Sequence, residues 1–187
     1  MTACNALPIC GTSIVNNFSY TTTVSSNPIG ACGSSTGTFA FGGKWVYYRF
    51  TCYSTGIFKF RLVPNDSATV NSDLDWALWD ITYGDCSTLN TSNVVECNAA
   101  GNGATGVGIG ALPAANFEPN VGMVVGMTYI LGISNPSGAN TNGFTITFDG
   151  TTANIFDNKK PYLASVLPFD ACSPVTTINV KLSEPVR

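Results

Sequence analysis

Bulky apolar residues recur at every second position in a series of short runs, the period of strands that bury one face. The cleanest run is Phe144-Thr145-Ile146-Thr147-Phe148, which predicts a strand with its Phe and Ile side chains inward and its threonines outward. Ile57 to Val63 repeats the pattern, with Phe58, Phe60 and Leu62 predicted to face a core while Lys59 and Arg61 face water. Trp45 to Phe50 is bulky on both faces, Asp75 to Ile81 and Met127 to Ser134 give further strand signals, and Ser13 to Val24 is Thr-rich and β-prone. Gly56 lies between the runs at 45–50 and 57–63, so the two read as a hairpin.

Turn chemistry separates these runs. Gly30 to Gly43 is a glycine and serine loop, Pro64-Asn65-Asp66 ends the expected hairpin, and Asn135-Pro136-Ser137-Gly138 joins the last two strands. The glycine-rich tract Ala99 to Leu112 is expected to carry little regular structure. About seven short strands with turns between them predict an all-β fold, an antiparallel β-sandwich of the jelly-roll type. After Ile155-Phe156 the pattern changes, and Asp157-Asn158-Lys159-Lys160-Pro161 reads as a polar linker. Tyr162 to Leu167 and Thr177 to Leu182 then look like the first two strands of an immunoglobulin-like module. The domain division expected is 1–157 for the sandwich and 158–187 for the linker and the truncated start of a following domain, because two strands build no core of their own.

Composition narrows the class. Apolar residues make up 44% of the 187 residues and charged ones 10%, a balance found in turn-rich β proteins rather than helical ones. A net charge of -3 offers no basic field for a phosphate backbone, so nucleic acid is not an expected partner. The apolar stretches are short and interrupted, so no membrane insertion is expected. The N-terminus lacks the charged and apolar regions of a signal peptide, and the chain is expected to be a piece of a longer exported protein.

Seven cysteines in a chain this short predict an oxidising, extracellular location. Their spacing contains no C-x-x-C pair, and with no histidine in the chain a zinc site is disfavoured. Cys86 and Cys97 enclose a turn-rich loop and are the first expected disulfide, worth roughly 2 to 3 kcal/mol. Cys10 and Cys32 flank the first strand and are the second expected pair, with Cys4 left open. Cys52 is expected to be buried and free, and Cys172 to bond beyond Arg187.

Ser72-Asp73-Leu74-Asp75-Trp76 opens the most informative segment. Asp73 and Asp75 are one residue apart and so share a strand face. With Asp66 they form a candidate calcium set, since calcium takes six to eight oxygen ligands. The alternative makes Asp66 and Asp73 turn caps and gives Asp75 the backbone N–H groups of the strand entry. Trp45, Tyr47, Tyr48, Tyr53, Trp76 and Trp79 are a candidate platform for sugar rings, set against an ordinary core role. An enzymatic reading lacks the usual histidine base, and nothing in the chain brings Asp75 and Glu118 together as a glycosidase would require.

Several segments, in order, carry a resemblance to a known family. They are Cys4 to Cys10, Gly30-Ala31-Cys32-Gly33, Trp45 to Phe50, Ser54 to Phe60, Leu74 to Asp80 and Gly126 to Ser134. The chain resembles the jelly-roll modules of large Bacteroidota surface adhesins, among them the mobile adhesins of gliding motility. The tail Ala171-Cys172-Ser173-Pro174 through Leu182 to Val186 resembles the start of the immunoglobulin-like repeats that follow such modules. The resemblance implies type IX export, cell-surface anchoring and a non-catalytic role in adhesion or gliding, as a spacer and contact domain. Neighbouring domains of the same polypeptide and surface polysaccharide are its implied partners. Related modules flank secreted hydrolases, so a carbohydrate-binding accessory module is the alternative. Asp66-Ser67-Ala68 matches the short O-glycosylation pattern of that phylum.

Overall fold

The computed structural model describes residues 2–16, 44–65, 73–99, 103–108, 116–136, 142–156, 163–166 and 180–182. The chain divides into two compact units, Met1–Phe156 and Asp157–Arg187. The first opens with a 3-10 turn, Ala3–Asn5, followed by β1 (Leu7–Pro8), β2 (Ser13–Asn16) and β3 (Lys44–Thr51). Next come β4 (Gly56–Phe58), β5 (Phe60–Pro64), β6 (Asp75–Asp80), β7 (Val94–Asn98) and β8 (Thr105–Val107). β9 (Phe117–Glu118), β10 (Val121–Met123), β11 (Thr128–Asn135) and β12 (Phe144–Thr147) complete the unit.

These strands form an all-β sandwich. One five-stranded sheet runs β1-β3-β11-β6-β7, the other β2-β12-β5-β8-β9, and β10 with β4 makes a short ribbon. Pairing is antiparallel except for the short edge pairs β1 with β3 and β8 with β9. The long strands of the first sheet are held in a continuous register, with Tyr48 opposite Leu131 and Leu131 opposite Leu78.

Alternation puts Tyr48, Phe50, Trp76, Leu78, Leu131 and Ile133 on the face that meets Phe60, Leu62, Val107, Phe144 and Ile146 of the second sheet. Edge-to-face contacts join the layers, Phe60 to Trp76 at 4.9 Å and Tyr48 to Phe144 at 6.3 Å between ring centres. Such pairs add about 0.5 to 1.5 kcal/mol beyond the burial of their area. The Asn16 amide donates to the Tyr48 hydroxyl at 3.2 Å, a buried polar contact between the sheets.

The outward face of the first sheet is buried as well. Trp45, Tyr47, Ala77, Trp79, Ile81, Cys97 and Ile130 form a second apolar cluster there, against which Ala3, Ala6, Cys86 and Leu89 pack. This is why β3 reads as bulky on both faces: Trp45 and Tyr47 face this cluster, Tyr48 and Phe50 the other. Gly132 lies beneath the indoles: a Cβ there would stand 2.8 Å from a Trp79 ring carbon and 3.0 Å from one of Trp45. The missing side chain lets the two rings approach to 5.9 Å.

Two expectations are corrected. Residues 45–50 and 57–63 are not a hairpin: β3 pairs with β1 and β11 in one sheet, while β5 pairs with β12 and β8 in the other. The chain crosses between the layers at Cys52 to Thr55, where Ser54 bridges to Asn154 and the Tyr53 backbone N–H donates to the Asn154 carbonyl. The glycine tract after Ala99 contains β8, whose three residues are buried beside β5. Gly106 has φ 151°, and a Cβ there would lie within 2.1 Å of the Phe60 carbonyl oxygen. Glycine thus permits a strand where its presence suggested a loop.

In the second unit, β13 (Leu163–Val166) and β14 (Val180–Leu182) pair antiparallel with an irregularity between Leu163 and Ser165. They lie within the two strand segments expected there. Among the described residues no helix is long and apolar enough to cross a membrane.

Candidate functional site

The acidic pair at the start of β6 is the most unusual chemical feature among the described residues. β6 puts Ala77 and Trp79 on the outward face of its sheet, so strand alternation puts Asp75 on that face too. Its cross-strand neighbour is Ser134 on β11, which in turn faces Trp45 on β3. Asp75 is 2% exposed, and its Oδ1 accepts no hydrogen bond. Asp73 is half-buried, and its Oδ1 is likewise enclosed without a partner.

A carboxylate taken from water without hydrogen bonds is strongly disfavoured. Burial first, and the neighbouring charge of Asp73 second, raise the Asp75 pKa to about 7. Burial raises Asp73 as well. Two outcomes satisfy such a pair: a proton held between the carboxyls, or a cation that takes the orphaned oxygens as ligands. The enclosed Oδ1 atoms do not act as caps of neighbouring backbone N–H groups. They fit part of an oxygen-rich calcium site. The third expected ligand, Asp66, lies outside the described residues. Asp80 does not join the pair: it sits at the far end of β6, about 17 Å along the strand, and accepts the Thr82 backbone N–H at 2.8 Å.

The described residues contain one three-membered group with metal-binding side chains close together, Cys4, Asp85 and Cys86. Its two sulfurs are joined to each other in a disulfide, with Cα atoms 4.9 Å apart, and offer no thiolate. That bond corrects the expected pairing of Cys86 with Cys97. The segment after β6 folds back over the outward face of the first sheet, where the N-terminal turn also packs, and the tertiary contact outranks the nearer partner in sequence. Cys97 is disulfide-bonded, but not to Cys86. Cys10 is an exposed free thiol, so the Cys10 to Cys32 pair is not formed. Cys32 and Cys172 lie outside the described residues. Cys52 is buried and free as expected, its thiol donating to the Ser54 carbonyl at 3.1 Å.

Glu118 belongs elsewhere in the molecule. It is buried on β9 and accepts from the Asn98 amide at 2.8 Å, while Thr105 accepts the Trp76 indole N–H at 2.9 Å and donates to the Asn116 carbonyl at 2.6 Å. This network joins the two sheets near β7 and β9, and sequence order gives no hint of it. Glu96 lies close enough to feel Glu118, and burial is the main cause of its raised pKa.

Of the two readings of the aromatic set, the core role is the one found. Trp45, Tyr47, Tyr48, Trp76 and Trp79 are all buried, Trp76 and Trp79 completely: Trp45, Tyr47 and Trp79 pack on one another, Tyr48 packs on Phe144 and Trp76 on Phe60. Tyr53 is half-buried. Among the described residues the most exposed aromatic is Tyr83, at 93%.

No family model, curated protein or solved structure matches the chain.

Proposed function

We propose that this chain is a non-catalytic extracellular module of a large multi-domain bacterial surface adhesin, acting in attachment or gliding as a spacer and contact domain. The observation that carries the reading is the covalent closure of an aromatic-filled sandwich. Cys4 and Cys86 are 82 residues apart, and their bond pins the N-terminal turn to the loop after β6, over a second apolar layer. Such a bond persists in oxidising surroundings, and a sandwich fastened in this way resists unfolding where no chaperone is at hand. A calcium ion held by Asp73, Asp75 and Asp66 is a further stabiliser in the same reading.

The reading is tested on living cells. Removing residues 1–156 from the full surface protein should abolish attachment while export of the remainder continues. Attachment at the normal level after the deletion contradicts it.

The alternative, an accessory carbohydrate-binding module of a secreted hydrolase, loses its aromatic platform because those rings are interior.

A further inference from the structure

The outward face of the second sheet carries a cleft that the preceding reading does not use. It has a volume of about 430 Å³, and Lys59, Arg61, Thr147 and Asp149 line it together with Val63 and two glycines, Gly108 and Gly150. Lys59 immediately precedes β5 and Arg61 lies within it, so the two cations project from one face about 7 Å apart along the chain. Among the described residues neither is ion-paired with a carboxylate.

The surroundings hold this pair open. Gly108 and Gly150 flank the Lys59 stem, and a Cβ on Gly108 would lie 2.8 Å from Lys59 Cγ, while one on Gly150 would lie 3.4 Å from Cδ. The stem therefore rests in a slot that any larger residue at 108 would fill. Arg61 faces Thr147 on one side and Gly106, which has no side chain, on the other. Two cations thus stand together beside Val63 and the glycines, with hydroxyl and carboxylate acceptors at Thr147 and Asp149.

We infer that this cleft binds an acidic polysaccharide, with the carboxylates of its uronate units on Lys59 and Arg61 and its sugar hydroxyls on Thr147 and Asp149. Cations select the charged group, and Asp149 favours a partner that also donates hydroxyl protons. The inference deepens the contact role proposed above and rests on it for the kind of surface that is met.

Affinity electrophoresis of the full chain through gels holding polygalacturonate, dextran sulfate or neutral dextran tests it. Retardation is expected in polygalacturonate at low ionic strength, with none in dextran. Arg61→Ala, an exposed position, and the double variant Lys59→Ala/Arg61→Ala should weaken the interaction at least tenfold with the melting temperature of Arg61→Ala unchanged. Arg49→Ala, an exposed cation on the other sheet, should bind as the parent does. No retardation in polygalacturonate, or equal loss in Arg49→Ala, overturns the inference. Retardation by dextran sulfate alone, which carries no uronate, overturns the uronate assignment. Undiminished polygalacturonate binding by the double variant overturns this inference and leaves the contact role standing, whereas failed attachment is read separately by deleting residues 1–156.

Discussion

Replacing Asp75 with asparagine should change how stability depends on pH. The native carboxyl has a pKa raised to about 7 from an ordinary value of 3.8. The folded state therefore binds this proton more tightly than the unfolded state does. Its destabilising effect is absent below the unfolded pKa, grows as pH rises between the two values, and is complete above the folded one. The gap between the two values corresponds to about 4 kcal/mol. The substituted amide carries no charge but needs hydrogen-bond partners of its own, at a cost of about 1 to 3 kcal/mol that does not vary with pH.

The measurable quantity is the difference between parent and Asp75→Asn in urea unfolding free energy from about pH 4 to about pH 8, in chelator. It should shift by about 4 kcal/mol in favour of the variant across that range. Calcium should flatten the parent's profile by compensating the charge at high pH, and should leave the variant unaffected. Parallel profiles for the two proteins in chelator would refute the account of Asp75 as an uncompensated buried acid.

Further outcomes follow from the same geometry. Cys4→Ser with Cys86→Ser opens a loop of 82 residues, for which the chain-entropy limit is about 4.5 kcal/mol, and should raise the urea m-value as the unfolded chain expands. A loss below about 1 kcal/mol with m unchanged contradicts that role for the bond. Gly132→Ala should cost about 1 to 3 kcal/mol because Trp79 and Trp45 must move apart, and should alter the near-ultraviolet circular dichroism of the indoles. An unchanged spectrum and melting temperature would show that the rings have room. In differential scanning calorimetry at about pH 8, calcium should raise the parent's melting temperature reversibly with chelator, and no rise removes calcium from the account.

Much of the fold was legible where one physical pattern decided it. The alternation of Phe144, Ile146 and Phe148 marked a one-sided strand, and the bulky run from Trp45 to Phe50 marked another, both found as β12 and β3. Partner choice was less visible, because Gly56 signals a break in the chain but not whether the next strand stays in the same sheet. β8 escaped because Thr105-Gly106-Val107 has too little bulk to register, and its glycine is required by the closeness of Phe60. Of the candidate site, the closeness of Asp73 to Asp75 was readable from their spacing, whereas the burial that leaves an oxygen of each without a partner depends on what packs over the strand entry. The disulfide was the least accessible feature: Cys4 meets Cys86 only because the N-terminal turn lies over the outward sheet face.

The central claim is that this is a covalently closed sandwich working outside the cell. Peptides released by brief trypsin treatment of intact cells, mapped without reduction, test it most directly. The account predicts a linked peptide pair containing Cys4 and Cys86, with Cys52 recovered as a thiol once the sandwich is denatured. Release only after lysis, with Cys4 and Cys86 both as free thiols, would contradict it.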